Sequence, residues 1–425
     1  MKKLLMMGTT PTSIELINMA KAQGIYTITT DYLEPEQSPA KLISDEYWMI
    51  STADLDALEK KCREEGVSAV LAGISEFNIE RMAELCQRLE LPCWCTPESW
   101  NAIQKKHNFK RLCRENGVPV ATDYYLSNPP TEEELAQIVY PVVIKPVDQN
   151  SNTGMSYCYN REDVIKGCEY ARSLSKSETL IVEKKFSGTE YMAWYAIAEG
   201  EVSLLTFAAS MSQPGYPGSC YEFSASDKKN LRNYVELYEP SIKKMIHAAG
   251  CREGICWIQL FLEDDQVFYA LEMGYRLSGD MMCLPMREAY GFDALQWILD
   301  VALGKHHTVS DLPATFNCNS EKSICSYILW SKSEGIMDKI RGVEEIAALP
   351  GMICRLIAEE GSPFGQYEYL VVFAFSAVDH SDMIEMVNKI NNTVEMLDHN
   401  GNNVCIYFDD IEAIRKVADA DCAHI

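Results

Sequence analysis

Short apolar strands alternate with amphipathic helices through the first hundred residues, and few architectures accept that pattern: strands covered by helices on both faces form a parallel sheet. Leu4 to Met7 reads as a strand, Thr12 to Ala22 as a helix closed by Gly24, and Ile25 to Thr30 as the next strand. Val67 to Ala72 reads as another strand after a helix ending at Gly66. Such units often hold dinucleotides. The turn after the first strand, Gly8-Thr9-Thr10-Pro11, lacks the spaced glycines that let a pyrophosphate approach a helix N-terminus, which disfavours a nicotinamide-dependent dehydrogenase.

The chain then changes character. Lys105 to Asn116 is a helical stretch ended by Gly117, after which a second α/β unit contains the strand Pro141 to Lys145, a polar loop, the strand Gly154 to Tyr159 and a helix near Val164 to Leu174. Beyond Glu183, Tyr191 to Ala198 and Val202 to Ala208 predict a hairpin about Glu199-Gly200-Glu201. A long helix is predicted over Asp227 to Ala249, a strand pair over Ile255 to Leu262 and Val267 to Glu272, and a last helix over Asp293 to Leu303. Past Ser320, strands alternate with helices again, with a hairpin at Asn400-Gly401. The division expected is 1–116, 117–189, 190–318 and 319–425, an α/β and α+β multidomain chain whose N-terminal part is a parallel α/β domain.

A length of 425 residues, 47% of them hydrophobic, supplies material for several cores. The formal charge of −24 opposes nucleic acid and anionic membrane surfaces, which are bound by clustered Lys and Arg, but leaves room for a nucleotide held by a few local cations. The 16 Cys are scattered, without a signal-peptide pattern at the start, so most are expected to be reduced. Cys93, Trp94 and Cys95 alternate as in a strand, and buried thiols are favoured over zinc. No apolar run reaches the roughly 20 residues that span a bilayer, so a soluble, cytoplasmic protein is expected.

Several residues suit phosphate and metal chemistry. Lys145 delivers an ammonium to the loop 146–154, whose backbone N–H groups and the hydroxyls of Ser151 and Thr153 could cradle phosphate oxygens up to Gly154. Glu183 ends the next strand, and Glu190 follows across a turn containing Gly188; two carboxylates there could accept from an adenine amino group and ribose hydroxyls. Gln259 and Glu272 lie on consecutive strands and can converge on one face, offering oxygens to magnesium. Arg276, four residues after Glu272, could meet a phosphoryl group or a substrate carboxylate, or form a structural pair with Glu272. Taken singly, each of these is as readily an ordinary solvated side chain.

Their order resembles the ATP-grasp superfamily, especially carbamoyl-phosphate synthase, biotin carboxylase and the amino-acid ligases, over most of the chain. The resemblance implies a pre-ATP-grasp domain, an ATP-grasp fold and a C-terminal α+β unit. It implies that Lys106 and Lys145 contact ATP phosphates, that Glu183, Lys184 and the chain through Phe186 meet the adenine, and that Glu190 meets the ribose. Ser151, Thr153 and Gly154 would then close over the β- and γ-phosphates. Gln259 and Glu272 would hold magnesium, or manganese in its place, and Arg276 would stabilise an acyl phosphate. The loop is poorer in Gly than is usual for the family, and Gly274 stands where an Asn metal ligand is common.

The reaction implied is ATP-dependent joining of a small carboxylate to an amine through an acyl phosphate. Activation of bicarbonate, or nucleotide binding without turnover, are the alternatives. A homodimer is expected only by analogy. The segment Ser210 to Phe223, with Tyr216 and Tyr221, reads as an active-site loop or a plain surface loop.

Overall fold

In the computed structural model, the residues described are 2–147, 154–175, 177, 179–216, 221–224, 228–264, 266–313 and 322–419. The first four strands, β1 (Lys3–Met7), β2 (Tyr26–Thr30), β3 (Glu46–Trp48) and β4 (Ala69–Ala72), form a parallel sheet in the order β3-β2-β1-β4. Leu4, Leu5, Met6 and Met7 are completely buried, as a strand covered on both faces requires. The helices Pro11–Ala22, Leu55–Glu65 and Glu76–Leu89 are each capped by a side chain, from Thr10, Asp54 and Ser75 respectively.

A small antiparallel sheet follows, of β5 (Val142–Pro146), β6 (Ser156–Cys158) and β7 (Leu180–Lys184) in the order β6-β5-β7. With the helix Arg161–Leu174 it buries its own apolar cluster, including Val142, Ile144, Val164, Ala171 and Val182, separate from the main core. That separate core lets the unit keep its shape if it shifts against its neighbours.

The large sheet has nine strands. β8 (Thr189–Ala198), β9 (Glu201–Met211), β10 (Tyr221–Ser224), β11 (Gly254–Leu262) and β12 (Phe268–Gly274) are joined by β13 (Ser323–Ser331) and, after β14 (Gly335–Arg341), by β15 (Ile353–Leu356). β16 (Pro363–Phe364), β17 (Tyr369–Ala377), β18 (Glu395–Asp398) and β19 (Cys405–Ile406) complete the chain's strands among the described residues. The order is β12-β11-β8-β9-β10-β13-β17-β15, with β19 pairing β13, so strands beyond residue 322 are hydrogen-bonded into the same sheet as β8 to β12.

Several local expectations change. Cys93 to Cys95 form no strand: Trp94 donates to the Tyr275 carbonyl at 3.3 Å, and its own carbonyl accepts from Tyr275 Oη at 2.6 Å, so the backbone is taken up by a side chain rather than a neighbouring strand. The long helix is Lys228–Asn233, a π-helical turn Tyr234–Tyr238, and Glu239–Ala248. The wide turn ends at Tyr238, two residues before Pro240, which has no N–H to donate and sits in the first turn of the helix that follows. A helix at Cys283–Tyr290 was not anticipated. The Asn400-Gly401 turn is present and its flanks meet at Leu397 and Asn403, but the chain then leaves to pair β19 with β13.

Candidate active site

A cleft of about 820 Å³ opens between the small sheet and the large one. Lys145, Glu183, Lys184, Phe186, Glu190, Gln259, Glu272 and Arg276 all line it, so residues spread over more than a hundred positions converge as expected. Lys106 stands beside them on the helix Lys106–Glu115. Gly154 is described, with φ +76 and its α-carbon closed against Pro146, whereas Ser151 and Thr153 lie outside the described residues.

The Glu183 carboxylate is the hub of a cation cluster. Its Oε1 lies 2.5 Å from Lys106 Nζ and 3.7 Å from Lys145 Nζ, and its Oε2 lies 3.0 Å from Lys110 Nζ. Lys110 also bonds Asp123, which Arg114 meets at 2.5 Å. Burial pushes the Glu183 carboxyl up, but the ammoniums of Lys106, Lys110 and Lys145 outweigh it and bring it down to about 2. Loss of hydration pulls the Lys106 ammonium down to about 8, with Lys145 adding to that and Glu183 opposing it. Both Glu183 oxygens are therefore engaged inside the protein.

The strand β7 runs into a hinge fixed from the large sheet. Glu263 Oε1 accepts from the N–H groups of Ser187 and Gly188, each at 2.8 Å, and its Oε2 lies 3.5 Å from Lys184 Nζ. A Cβ on Gly188 would sit 1.8 Å from the Leu262 carbonyl oxygen, so only glycine permits this approach. Phe186 stacks on Phe261 at 5.4 Å and leans on Tyr269 at 5.0 Å, forming an apolar wall of the cleft suited to a flat ring.

Gln259 and Glu272 are direct register partners on β11 and β12, which places both side chains together at the cleft. Gln259 Nε2 donates to Glu190 Oε1 at 2.6 Å. Burial pushes the Glu190 carboxyl up to about 7, with Glu272 adding to it and Gln259 opposing it, and burial also raises the Glu272 carboxyl, helped by Glu76. The half-buried Glu190 carboxylate and the more open Glu272 carboxylate, beside an amide oxygen, form an all-oxygen donor set whose negative charge a hard divalent cation would offset. The donor set fits magnesium.

Arg276 does not pair with Glu272. Its Nη2 bonds Glu76 Oε1 at 3.0 Å, its Nη1 donates to the Leu277 carbonyl at 2.9 Å, and its guanidinium lies 5.0 Å from the centre of the Trp257 ring. Glu76 belongs to the N-terminal domain and also accepts from Gln104 Nε2 at 2.5 Å, so that domain holds the arginine in place. Arg276 Nε is buried without a hydrogen-bond partner among the described residues.

Sequence reasoning missed Lys110, Asp123, Glu76, Glu263 and Trp257. Lys110 alone left a local signal: it follows Lys106 by four residues on one helix and so shares its face. The others act across long separations in sequence.

A grasping pair of sheets around a cleft with lysines on one side and carboxylates on the other defines a nucleotide-binding class of protein. Residues 105–309 match the family model described as the carbamoyl-phosphate synthase L chain, ATP binding domain. That stretch of the chain is similar to the ATP-binding domain of that family, in keeping with the expected resemblance to ATP-grasp proteins. A formate-dependent phosphoribosylglycinamide formyltransferase of Wolinella succinogenes is 24% identical over 280 residues, covering 63% of this chain and 68% of that protein. The solved L-amino acid ligase of Bacillus licheniformis superposes with TM-score 0.77 at 17% identity, over 94% of this chain and 99% of that one. The biotin carboxylase of Campylobacter jejuni, solved as a complex with β,γ-ATP, superposes with TM-score 0.75 at 16% identity, over 100% and 97%. The biotin carboxylase domain dimer of the Hydrogenobacter thermophilus 2-oxoglutarate carboxylase, solved with MgADP and bicarbonate, superposes with TM-score 0.74 at 17% identity, over 98% of each chain.

Proposed function

We propose that this chain is an ATP-dependent ligase that joins a small carboxylate to an amine. The observation that carries the reading is the convergence, in one cleft, of the Lys145 ammonium with the Glu190, Gln259 and Glu272 oxygens and the Arg276 guanidinium. Lys106 and Lys145 neutralise the ATP phosphates, and Glu183 holds both ammoniums in place. The hinge 184–188 and Phe186 receive the adenine, and Glu190 the ribose or, through Gln259, the metal edge of the site. Glu183, whose oxygens are engaged by lysines, serves the adenine only through its peptide group.

Gln259 and Glu272 would hold magnesium, or manganese with the same preference for oxygen, and the ion when bound would supply neutralising charge to the ATP phosphate oxygens. A carboxylate oxygen attacks the γ-phosphorus, ADP leaves, and Arg276 stabilises the acyl phosphate; the amine then attacks the carbonyl carbon, phosphate leaves, and the amine gives up a proton. The unit 117–189, with its own core, closes on the cleft and excludes water during both steps. The domains 1–116, 190–318 and 319–425 supply, in turn, the Glu76 anchor of Arg276, the metal edge, and the wall opposite it.

Among the described residues no helix is long and apolar enough to cross a membrane, and 13 free cysteines are present. A reducing, cytoplasmic location and a homodimer are part of the proposal, the latter checked by light scattering. The function is tested by ADP release with ATP, magnesium, and a panel of paired carboxylates and amines that includes bicarbonate. Release that requires both an acid and an amine supports the ligase; release with bicarbonate alone, or ATP binding with no release, overturns it.

A further inference from the structure

The cleft extends past the carboxylates to an end walled by Ile328 and Trp330 of β13, Tyr369 of β17, and Phe408, with Tyr216 closing one side. Trp330 and Tyr369 meet edge to face, ring centres 4.4 Å apart at 89°. Phe408 and Ile328 are fixed from behind, each 1% exposed. The chain before Tyr216 is tied to the segment after Phe408 by two reciprocal bonds: Gln213 Nε2 donates to Asp409 Oδ1 at 2.8 Å, and the Asp409 N–H donates to Gln213 Oε1 at 3.1 Å. The box is therefore built from four separate parts of the chain, the first and last of them tied together.

Its charge is as selective as its shape. Among the described lining residues the cations are Lys145, Lys184, Lys185 and Arg276, and the three lysines stand on the small sheet or the hinge that follows it. The charged lining groups off that sheet and hinge are Glu190, Glu272, Arg276, Asp280 and Asp410, the last capping the helix that begins at Ile411 by accepting from the Ala413 N–H at 3.0 Å. A phosphorylated substrate placed at this end would meet aromatic faces and carboxylates, with no cluster of donors to replace its hydration. An ammonium group beside an apolar side chain finds both complements there.

We infer that the acid activated by this enzyme is a free amino acid with a large apolar or aromatic side chain, seated on Trp330, Tyr369 and Phe408 with its ammonium toward Asp410. The inference rests on the ligase reading above and adds the substrate class to it. Trp330 is the specificity-determining residue, being the largest of the half-buried side chains, with Tyr369 and Tyr216, that a substrate side chain can reach.

The test is ADP release by the full chain with ATP and magnesium, using phenylalanine, leucine, serine and phosphoserine as the acid probes and alanine as the common amine. Phenylalanine or leucine should give the highest kcat/KM. Trp330→Ala should raise the KM for that amino acid at least about tenfold, the scale on which apolar pockets discriminate, while the KM for ATP stays within twofold. Trp330→Phe should restore most of the loss, which a merely structural defect would not allow. Release with serine or phosphoserine but not with the apolar acids overturns the inference and leaves the ligase standing. ATP binding without release for any acid overturns the ligase reading itself.

Discussion

Trp257 and Gly274 face each other as register partners on β11 and β12, and a Cβ on Gly274 would come within 2.2 Å of the indole. The indole therefore takes the space in which related sequences are expected to carry an asparagine side chain, and it supports the Arg276 guanidinium on its other side. The missing ligand is a packing choice.

Restoring asparagine should accordingly fail. Gly274→Asn must displace a ring that is 6% exposed, so we expect a loss of at least about 2 kcal/mol in unfolding free energy, as overpacking a filled site produces. Magnesium should give no compensating stabilisation. Denaturant melts with and without magnesium measure both, and a variant as stable as the parent with a tighter magnesium midpoint would contradict the packing account.

The lysine cluster predicts a separation between binding and folding. Lys145→Ala removes an ammonium that is partly exposed at the cleft, and Lys106→Ala removes the one beside it, so each should cut turnover on the order of 100-fold, the scale of losing one electrostatic stabiliser. The melting temperature should hardly change for Lys145→Ala. Calorimetric ATP titration checks the assignment, and parental affinity together with parental turnover would remove Lys145 from the phosphate site.

Glu183 predicts a pH dependence. Its carboxyl falls from an ordinary 4.5 to about 2 in the folded chain, so its contribution is fully present above pH 4.5 and is lost as pH falls through about 2. The Lys106 ammonium is pulled toward neutrality by burial, which offsets part of this; the carboxylate direction governs, because Glu183 faces three cations while Lys106 faces one anion and a second cation. Glu183→Gln leaves buried ammoniums without their anion and should cost roughly 3 kcal/mol at pH 7. The gap between parent and variant should narrow steadily from pH 4.5 downward. Urea midpoints at pH 7, 4 and 3 follow it, and a gap independent of pH would mean that Glu183 acts by shape alone.

How far the sequence disclosed this site depended on whether a side chain's partner was local. Lys145 and Glu183 were legible because each ends an apolar strand, and Gln259 with Glu272 because a tight turn sets two strands in register. The Arg276 partner was not, since Glu76 lies 200 positions away and only the docking of the N-terminal domain brings it near. Glu183 was read as a ligand for adenine because nothing local shows that Lys106 and Lys110 come from a different element to meet it. The alternation at Cys93 to Cys95 suggested a strand for the same reason: the competing partner, Tyr275, belongs to a distant segment. Joining of β13 to β10 was likewise invisible, being a pairing across about a hundred residues.

The last prediction concerns which groups complete the metal site. With Gly274 unable to contribute, Asp280 is the nearest candidate in sequence, and it does line the cleft. Its Oδ1, however, accepts from the Met282 N–H at 2.8 Å and from the Ser278 hydroxyl, while its carbonyl accepts from Ser326 Oγ. That is the work of a residue organising the turn before the helix Cys283–Tyr290. Magnesium retains water readily, so water is expected in the remaining position. Glu272→Ala should then reduce ADP release by about 1,000-fold or more while the chain stays folded, since the donor set loses a carboxylate at the cleft. Asp280→Ala should lower stability by about 1–2 kcal/mol, as loss of a capping oxygen does, with the magnesium midpoint for turnover unchanged within twofold. Magnesium titrations of turnover run beside denaturant melts separate the two roles: a tenfold rise in the magnesium requirement of Asp280→Ala, with stability intact, would make Asp280 a ligand and remove water from that position.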